Sequence, residues 1–395
     1  MLGVDPYLID WLDLSFRFLH VIAAIVWIGT SFYFVALDNH LRPTEERDDL
    51  TGESWEIHGG GFYRIERYRV TPPTIPEPLH WYKWEAYTTW LAGFALFVSL
   101  YYLQPRTYLI DPSVADITPA TAIILSIGLL AAGWLIYDVL CRTVAKRSET
   151  ALAVCMLVLV AVAAYGCSQL FAPRAAYLQV GAMLGTIMVA NVFFVIIPAH
   201  WELIRAKEAG REPDPAANFR GKQRSVHNNY LTLPVLFAML SNHFAFTYTH
   251  ADAWLVLVLL MVIGAAIRHF FNLRHRGRNV WAIPVLAALA LAGIAIWLRP
   301  PSTSAAGPAV PFSRVQGIVA TRCAACHSMH PTQPGFSAPP LGITFDTPQQ
   351  IKSEASAIEQ QAVVLKAMPL GNVTHMTQAE RDALGTWIRQ GANIP

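Results

Sequence analysis

Long apolar blocks recur along the first three hundred residues of the chain. Eight of them approach or exceed the roughly 20 residues that a helix needs to cross a bilayer. These blocks are residues 13–37, 84–103, 118–140, 150–171, 175–199, 228–249, 252–272 and 280–299. The second block is weak at its start, and the sixth carries polar residues throughout. The pattern predicts an all-α fold, with a polytopic membrane helical bundle over residues 1–299.

The composition agrees with this prediction. Hydrophobic residues make up 54% of the 395 residues and charged residues only 14%, which is too apolar for a soluble protein of this length. The net charge of +2 gives no indication of nucleic-acid binding. Asp5, Asp10 and Asp13 stand where a secretory signal peptide carries basic residues, so we expect the first apolar block to be a membrane span.

The Lys and Arg residues between the blocks predict the orientation of the bundle. The first, third, fifth and seventh connections hold 18 of them, whereas the second, fourth and sixth hold 2. Because positively charged connections stay in the cytoplasm, both termini are predicted to face the periplasm from a bacterial inner membrane. The first connection, residues 38–83, is then a cytoplasmic loop, and its length and Trp residues predict that it is structured. Its Gly59-Gly-Gly61 run is compatible with a flexible turn or with backbone N–H groups that bind an anion.

The pattern changes after residue 299. Residues 300–311, which begin Pro300-Pro-Ser-Thr-Ser, have the composition of a linker. Residues 312–395 are predicted to form a small periplasmic cytochrome c domain, because they contain Cys323-Ala-Ala-Cys326-His327. Two thiols three positions apart, followed by a histidine, are what covalent attachment of haem c requires. Half of a zinc site and a redox-active thiol pair are the alternatives, and no second zinc-ligand pair follows.

Haem c needs two iron ligands from the protein. His327 is predicted to be the proximal ligand, and the second ligand in electron carriers is often a methionine. Met368 precedes Pro369, which ends a helical stretch and fixes the chain direction. Met376 precedes the capping-box pattern Thr377-Gln-Ala-Glu380 and is better explained as a packing residue. The predicted residues of a single haem c are Cys323 and Cys326 for attachment and His327 and Met368 for the iron.

Ionisable residues at membrane depth are costly and are therefore candidates for function. His20 and His243 are predicted to lie at similar depth near the outer face, and His227 and His269 at similar depth near the inner face. Facing imidazoles could ligate a haem b, for which His20 and His243 are the first candidates. In the alternative interpretation, these histidines hydrogen-bond to neighbouring helices or contact a substrate.

Several stretches of the chain resemble the bacterial membrane-bound urate hydroxylases, also called membrane urate oxidases with a cytochrome c tail. The resemblance covers nearly the whole chain. It is carried by Phe16-Arg-Phe-Leu-His20, Gly59-Gly-Gly-Phe-Tyr63-Arg64, His80-Trp-Tyr-Lys-Trp-Glu85, His227-Asn-Asn-Tyr230 and Met368-Pro-Leu-Gly-Asn372. It implies oxidation of urate to 5-hydroxyisourate in purine catabolism, with water as the oxygen source. It also implies that electrons pass through haem c to a respiratory acceptor, a cytochrome or an oxidase.

A urate site needs positive charge or N–H donors, aromatic faces and a base. The inner-side residues that offer charge or proton transfer, and are therefore candidate catalytic residues, are His58, Arg64, Glu85, His227, Arg268 and His269. The alternative function is an electron-transfer subunit of a respiratory complex, with quinol as the electron donor.

The predicted orientation can be tested with reporter fusions. A reporter that is active only in the cytoplasm should be silent after Pro395 and active near residue 215, because residue 215 lies in a connection rich in Lys and Arg. The reverse pattern would contradict the prediction that both termini are periplasmic.

Overall fold

The computed structural model describes residues 5–45, 47–299 and 308–395. Most of the predicted linker 300–311 falls on residues 300–307 and so lies outside the described residues. The described chain is mostly helical and consists of a helical bundle up to residue 299 and a tail domain from residue 308. The helices of the bundle are α1 (Pro6–His40), α2 (Trp84–Phe97), α3 (Pro105–Tyr108), α4 (Pro119–Thr143), α5 (Glu149–Leu170), α6 (Pro173–Asn191), α7 (Ile197–Glu208), α8 (Pro215–Leu240), α9 (Ala245–Tyr248), α10 (Ala253–His275) and α11 (Ala282–Trp297).

Five segments among the described residues are helical, long and apolar enough to cross a membrane. They are α1, α4, α5, α10 and the continuous segment in which the π-helical turn Val192–Ile196 joins α6 to α7. Helices also overlap the other three predicted spans in whole or in part. However, α2 has 14 residues before a π-helical turn, α11 has 16, and α8 carries many polar residues. Length and composition therefore support five spans, and the expected total of eight stays a prediction.

The sixth predicted span, 228–249, does not match the observed helix. α8 begins at Pro215, where the Asp214 carboxylate accepts a 2.9 Å hydrogen bond from the Ala216 N–H. Asp followed by Pro is a strong helix-start signal that the apolar pattern alone does not register. The helix ends at Leu240, and a 3₁₀ turn places His243 beyond the helix end instead of inside a span.

Apolar side chains cover the outside of the bundle as well as its core. The core lies mainly between α4, α5, α6, α8 and α10. On the outer faces of long helices, Phe18, Ile25 and Ile124 are each more than 60% exposed. Large exposed apolar surfaces are unusual for a soluble monomer, and they suit helices whose neighbours are lipid chains.

The connection after α1 contains two antiparallel strands, β1 (Leu50–His58) and β2 (Gly61–Tyr68). The turn between them is Gly59-Gly60, with φ angles of +58° and +82°. Positive φ at both central residues is what a type I′ hairpin turn requires, and glycine adopts it without steric cost. The hairpin corrects the expectation of an all-α fold. Two glycines between segments rich in aromatic and branched residues are a hairpin signal.

The tail domain has a hydrophobic core of its own. Its helices are α12 (Phe312–Arg322), α13 (Pro348–Ser353), α14 (Ala355–Ile358) and α15 (Gln378–Arg389). The predicted capping box is confirmed, since the Thr377 hydroxyl accepts from the Glu380 N–H and the Glu380 side chain accepts from the Thr377 N–H. Val315, Leu384 and Trp387 are fully or almost fully buried where α12 packs against α15.

A glycine determines how closely α4 approaches α6. A Cβ atom at Gly133 would lie 2.8 Å from the Met183 sulfur, whereas a Cβ at Gly128 on the same helix would meet nothing within 4 Å. Gly133→Ala should destabilise the bundle by about 1–3 kcal/mol, the usual cost of overpacking. The measurement is the Tm of the detergent-solubilised protein, with Gly128→Ala as control. Equal Tm values for the two variants would contradict the close packing of α4 on α6.

Candidate functional site

Arg268 on α10 lies at the centre of a buried polar cluster, and its side chain is only 3% exposed. Its Nε donates to Asn229 Oδ1 on α8 at 2.8 Å, and Asn272 Nδ2 donates to the same oxygen at 3.1 Å. The guanidinium carbon lies 3.8 Å from the centre of the Phe32 ring on α1, in a cation–π contact. These four residues, Phe32, Asn229, Arg268 and Asn272, are called the Arg268 cluster below.

The Arg268 cluster has more hydrogen-bonding atoms than partners. Arg268 Nη2, Asn229 Nδ2 and Asn272 Oδ1 are buried, and none has a hydrogen-bond partner among the described residues. Among the described residues, no carboxylate forms an ion pair with the guanidinium. Leaving a buried polar group unpaired costs about 1–3 kcal/mol, and a charged group costs more. Two free donors, one free acceptor and an uncompensated positive charge are together suited to a planar anion that carries both donors and acceptors.

Helical spacing and a close contact between helices bring the cluster together. Arg268 and Asn272 are four residues apart and so share one face of α10. One turn before Arg268, a Cβ atom at Gly264 would lie only 3.2 Å from the Leu233 Cβ on α8. Leu233 is itself one turn after Asn229. The glycine therefore sets a short distance between the two helices next to the Arg268–Asn229 hydrogen bond.

A second polar pair joins the same two helices. The Tyr230 hydroxyl and His269 Nδ1 are 2.8 Å apart, and the two rings stack with centroids 5.9 Å apart. The pair directly follows Asn229 and Arg268 in sequence. His269 is exposed. When its Nδ1–H donates to the tyrosine oxygen, Nε2 carries the lone pair that a general base needs.

Another buried polar network, here called the Asp138 cluster, lies between α4, α5, α6 and α8. Arg224 Nη2 donates to Asp138 Oδ1 at 2.7 Å in an almost fully buried ion pair. Asn191 Nδ2 donates to the Tyr137 hydroxyl at 3.1 Å. The cluster comprises Tyr137, Asp138, Glu149, Asn191, Arg224, His227 and Asn228.

His227, one of the candidate catalytic residues, belongs to the Asp138 cluster. Its Nδ1 lies 2.8 Å from the Tyr137 hydroxyl and its Nε2 lies 3.1 Å from Glu149 Oε2. Both ring nitrogens are therefore used, and they tie α8 to α4 and α5. His227 and His269, predicted at one depth, bond to different helices. The Asp138 cluster is nearly satisfied internally, which suits a structural role.

The candidate residues around the hairpin lie apart from these contacts. His58 is exposed at the end of β1, beside the turn. Arg64 on β2 forms a 2.7 Å ion pair with Glu53, and its guanidinium lies over the Trp55 ring. Glu85 is in the first turn of α2, where its buried Oε2 has no hydrogen-bond partner among the described residues.

The two histidines proposed for haem b occupy different kinds of position. His20 packs between α1 and α2, where its Nδ1 lies 2.8 Å from the Thr89 carbonyl oxygen and its ring fills the space left by Gly93. His243 is exposed in the turn that follows α8. Within the described chain, no hydrogen bond or ring contact links the two. The expectation of an intramembrane haem b stays a prediction.

The tail residues predicted to hold haem c have geometry that fits that group. Cys323 and Cys326 are free thiols directly after α12. His327 Nδ1 lies 3.1 Å from the Ile343 carbonyl oxygen. A hydrogen bond from Nδ1–H to a carbonyl leaves Nε2 as the nitrogen that can bind iron, which is the usual arrangement for a ligating histidine. Within the described ranges, no three His, Cys, Asp or Glu side chains form a group that could hold a metal ion.

The acidity of the two thiols does not favour a redox-active pair. Burial raises the pKa of the Cys323 thiol to about 12 and that of the Cys326 thiol to about 11. Both groups are then protonated at neutral pH. Redox-active cysteines in Cys-x-x-Cys motifs have lowered pKa values instead, because the thiolate is the reactive form.

The two methionines of the tail differ in burial. Met376 is 4% exposed and belongs to the tail core, and its N–H donates to Asn372 Oδ1 at 2.9 Å. Met368 is only half-buried at the edge of that core. Its carbonyl oxygen accepts a 2.6 Å hydrogen bond from Arg381. This arrangement supports a packing role for Met376 and leaves Met368 as the predicted iron ligand.

Sequence reasoning found Arg268 but missed most of its partners. Only ionisable side chains at membrane depth are predicted to be functional from the sequence, and Asn229 and Asn272 carry neutral amides. Two Asn residues on helices of an apolar bundle are nevertheless a signal, because a buried amide must also be hydrogen-bonded. Phe32 has no signal of its own, since it is one apolar residue among many in the first block.

Comparison with known protein families gives one match. Residues 6–299 match the family model described as urate oxidase N-terminal. The matched region is the helical bundle, including the Arg268 and Asp138 clusters, and it stops before the tail domain. No match was found among curated proteins or among solved structures.

The assignments in the tail can be tested by substitution. Replacing both Cys323 and Cys326 with alanine should abolish peroxidase staining of the denatured band, because no thioether can then form. Met368→Ala should keep the stain but change the optical spectrum and the reduction potential. Met376→Ala is the matched variant, and it should destabilise the tail by roughly 2–5 kcal/mol without changing iron ligation. A changed ligation in Met376→Ala and an unchanged one in Met368→Ala would contradict the assignment.

Proposed function

The chain belongs to the urate oxidase N-terminal family, and we propose that it oxidises urate at the Arg268 cluster and passes the electrons to haem c on its tail. The Arg268 cluster is the observation that carries this proposal, since it combines a buried positive charge with unpartnered donors and an unpartnered acceptor. Urate is a planar anion with N–H donors and carbonyl acceptors, so it complements the cluster in charge, shape and hydrogen bonding.

Each residue of the Arg268 cluster would make a different interaction with urate. Arg268 Nη2 and Asn229 Nδ2 donate to anionic oxygen or nitrogen atoms of urate, and Asn272 Oδ1 accepts from a urate N–H. Phe32 packs against the guanidinium and keeps the charge in a water-poor setting, where electrostatic interactions are strong. His269, held by Tyr230 and next to Arg268 in sequence, is the candidate base predicted from the sequence, and it would remove a proton from the attacking water.

The proposed reaction balances as urate plus water giving 5-hydroxyisourate, two protons and two electrons. A C–O bond forms between the purine ring and the water oxygen, and the substrate is the species oxidised. A haem c on the tail would supply one-electron transfer between the substrate site and a respiratory acceptor, a cytochrome or an oxidase. His327 and Met368 would hold the iron, and Cys323 and Cys326 would hold the porphyrin edge.

Two observations support a membrane-embedded bundle with a periplasmic tail. The Lys and Arg residues are concentrated in the odd-numbered connections, as expected for a cytoplasmic side. The tail contacts Asp10 near the N-terminus and the second connection near Thr107, which are both on the side poor in Lys and Arg. The contacts and the charge distribution therefore agree on the side that the tail occupies.

Spectroscopy of isolated membranes tests the proposed electron donor. Under anaerobic conditions, urate should convert oxidised haem c to its reduced spectrum, because no oxygen is present to take the electrons away from the haem. Reduction by quinol but not by urate would contradict the proposal and support the alternative, a quinol-linked electron-transfer subunit. Membranes that carry the double variant Cys323→Ala, Cys326→Ala are the control, because any absorbance change that urate causes in them does not come from haem c.

Substitution of Arg268 tests the proposed binding site. Arg268→Met keeps an apolar stem of similar length but removes the charge and its hydrogen bonds. The loss of a charge-assisted hydrogen bond, about 1.5–3 kcal/mol, corresponds to a rise in KM for urate of roughly tenfold to a hundredfold. Arg274→Met, an exposed position on the same helix, is the control and should leave KM unchanged. A folded Arg268→Met protein with the wild-type KM would exclude the Arg268 cluster as the urate site.

A further inference from the structure

The tail domain rests on an outer turn of the bundle through a glycine that has no room for a side chain. Gly371 has a φ of +57°, and a Cβ atom there would lie 2.9 Å from the Thr107 carbonyl oxygen and 3.0 Å from the Ile110 carbonyl oxygen. These are backbone atoms of residues 104–111, the segment that contains α3, and they cannot rotate away. The contact is therefore possible only with glycine at position 371.

Further contacts surround Gly371. The Gly335 backbone of the tail is packed directly against the Gln104 side chain. The Ser337 hydroxyl donates to the Asp10 carboxylate near the start of α1. The tail thus contacts two separate parts of the bundle, and residues 104–111 together with Asp10 are called the docking surface below.

The docked face of the tail is the face that carries the haem c residues. Within the attachment motif, the Ala325 carbonyl oxygen accepts 2.9 Å hydrogen bonds from the N–H groups of Thr332 and Gln333, and Gln333 is two residues before the docked Gly335. α3 packs against the turn Leu370–Asn372, which follows Met368 and Pro369 directly, and the Met368 carbonyl oxygen accepts a 2.6 Å hydrogen bond from Arg381. Both the attachment motif and the segment with the predicted methionine ligand are therefore next to the bundle.

Tyr108 is also the end of a continuous series of aromatic contacts inside the bundle. The centroids of neighbouring rings are separated by 4.6–6.3 Å throughout the series. In order from the docking surface, the rings are Tyr108, Tyr101, Phe97, Tyr102, Phe94 and Trp90. The series gives a continuous packed path from the middle of α2 to the docking surface.

We propose that this docked interface is the place where electrons enter the tail, through α3, which carries Tyr108 at the end of the aromatic series and packs against the haem-binding face. The inference rests on the proposed function, which supplies urate as the electron donor and haem c as the acceptor. No ring is oxidised in this scheme, because the rings only provide close packing across which electrons tunnel. The tail must be docked for transfer, since tunnelling falls steeply with distance.

Gly371→Ala tests the proposal in the full chain. The added methyl group meets two backbone carbonyl oxygens, so the docked population should fall and urate-driven haem reduction should slow by about tenfold or more. Gly391→Ala is the control, because Gly391 also has a positive φ, +103°, but a Cβ there would meet only Asn393, at 3.5 Å or more. Chemical reduction by dithionite and the optical spectrum should be unchanged in both variants, which shows that haem c is attached and ligated.

A release assay measures docking without electron transfer. With a protease site inserted at residues 300–307, the cleaved tail should stay with the bundle in the wild type and in Gly391→Ala but dissociate in Gly371→Ala. Wild-type reduction rates in a Gly371→Ala protein whose tail is released would overturn the proposal. Failure of urate to reduce the wild-type protein would instead count against the proposed function, and the release assay would still report on docking.

A cross-link covers the case in which Gly371→Ala does not fold. Asp10→Cys combined with Ser337→Cys should form a disulfide, because these side chains are in contact. The cross-linked protein should reduce its haem with urate at least as fast as the wild type. A cross-linked protein that folds and carries haem c but is no longer reduced by urate would also overturn the proposal.

Discussion

Polar atoms that are buried inside an apolar helical bundle must find hydrogen-bond partners, and the rest of the structure depends on this constraint. The Asp138 cluster meets most of this need within the protein, because the Arg224 guanidinium has the Asp138 carboxylate at 2.7 Å and both nitrogens of His227 are used. Only Arg224 Nε is left without a partner among the described buried side-chain atoms of the cluster. The Arg268 guanidinium has only an amide oxygen and an aromatic ring. The same residue type, at similar burial, therefore stabilises helix packing in one cluster and is available to a ligand in the other.

The Arg268 cluster lies at some distance from the docking surface, and electrons must cross this distance to reach the tail. Asn229 belongs to this cluster, whereas Asn242 binds Arg174, whose guanidinium lies over Tyr108 of the docking surface. Thirteen residues separate the two asparagines, so the substrate site and the docking surface are about 20 Å apart along the bundle at helical rise. The aromatic series covers the outer part of this distance. His20, hydrogen-bonded to the Thr89 carbonyl oxygen next to Trp90, is adjacent to its inner end.

The sequence predicted the features that depend on local pattern. The apolar blocks, the capping box at Thr377 and the Cys323–His327 motif each need only a short stretch of chain to be recognised. The β-hairpin was missed because its two-residue turn, Gly59-Gly60, lies in a connection that was predicted only as a structured loop, and the Gly run was interpreted as a flexible turn or an anion site. The start of α8 at Pro215 was missed because a cap, rather than hydrophobicity, defines it.

The contacts between distant parts of the chain could not be predicted in this way. Nothing in the sequence pairs Arg268 with Asn229 or Phe32, since the three residues lie on different helices. Gly264 and Gly371 are ordinary glycines in sequence, and their importance appears only when the backbone of another segment is found beside them. The sequence therefore identified the chemistry that is available, whereas the fold shows which groups are left without partners.

An anaerobic titration of the purified, oxidised protein with urate is the most direct test of this account. One urate should reduce two haem c groups, because oxidation to 5-hydroxyisourate releases two electrons and each haem accepts one. No hydrogen peroxide should form when oxygen is admitted with urate in excess. Urate consumption that requires oxygen, produces one hydrogen peroxide per urate and leaves haem c oxidised would contradict the account.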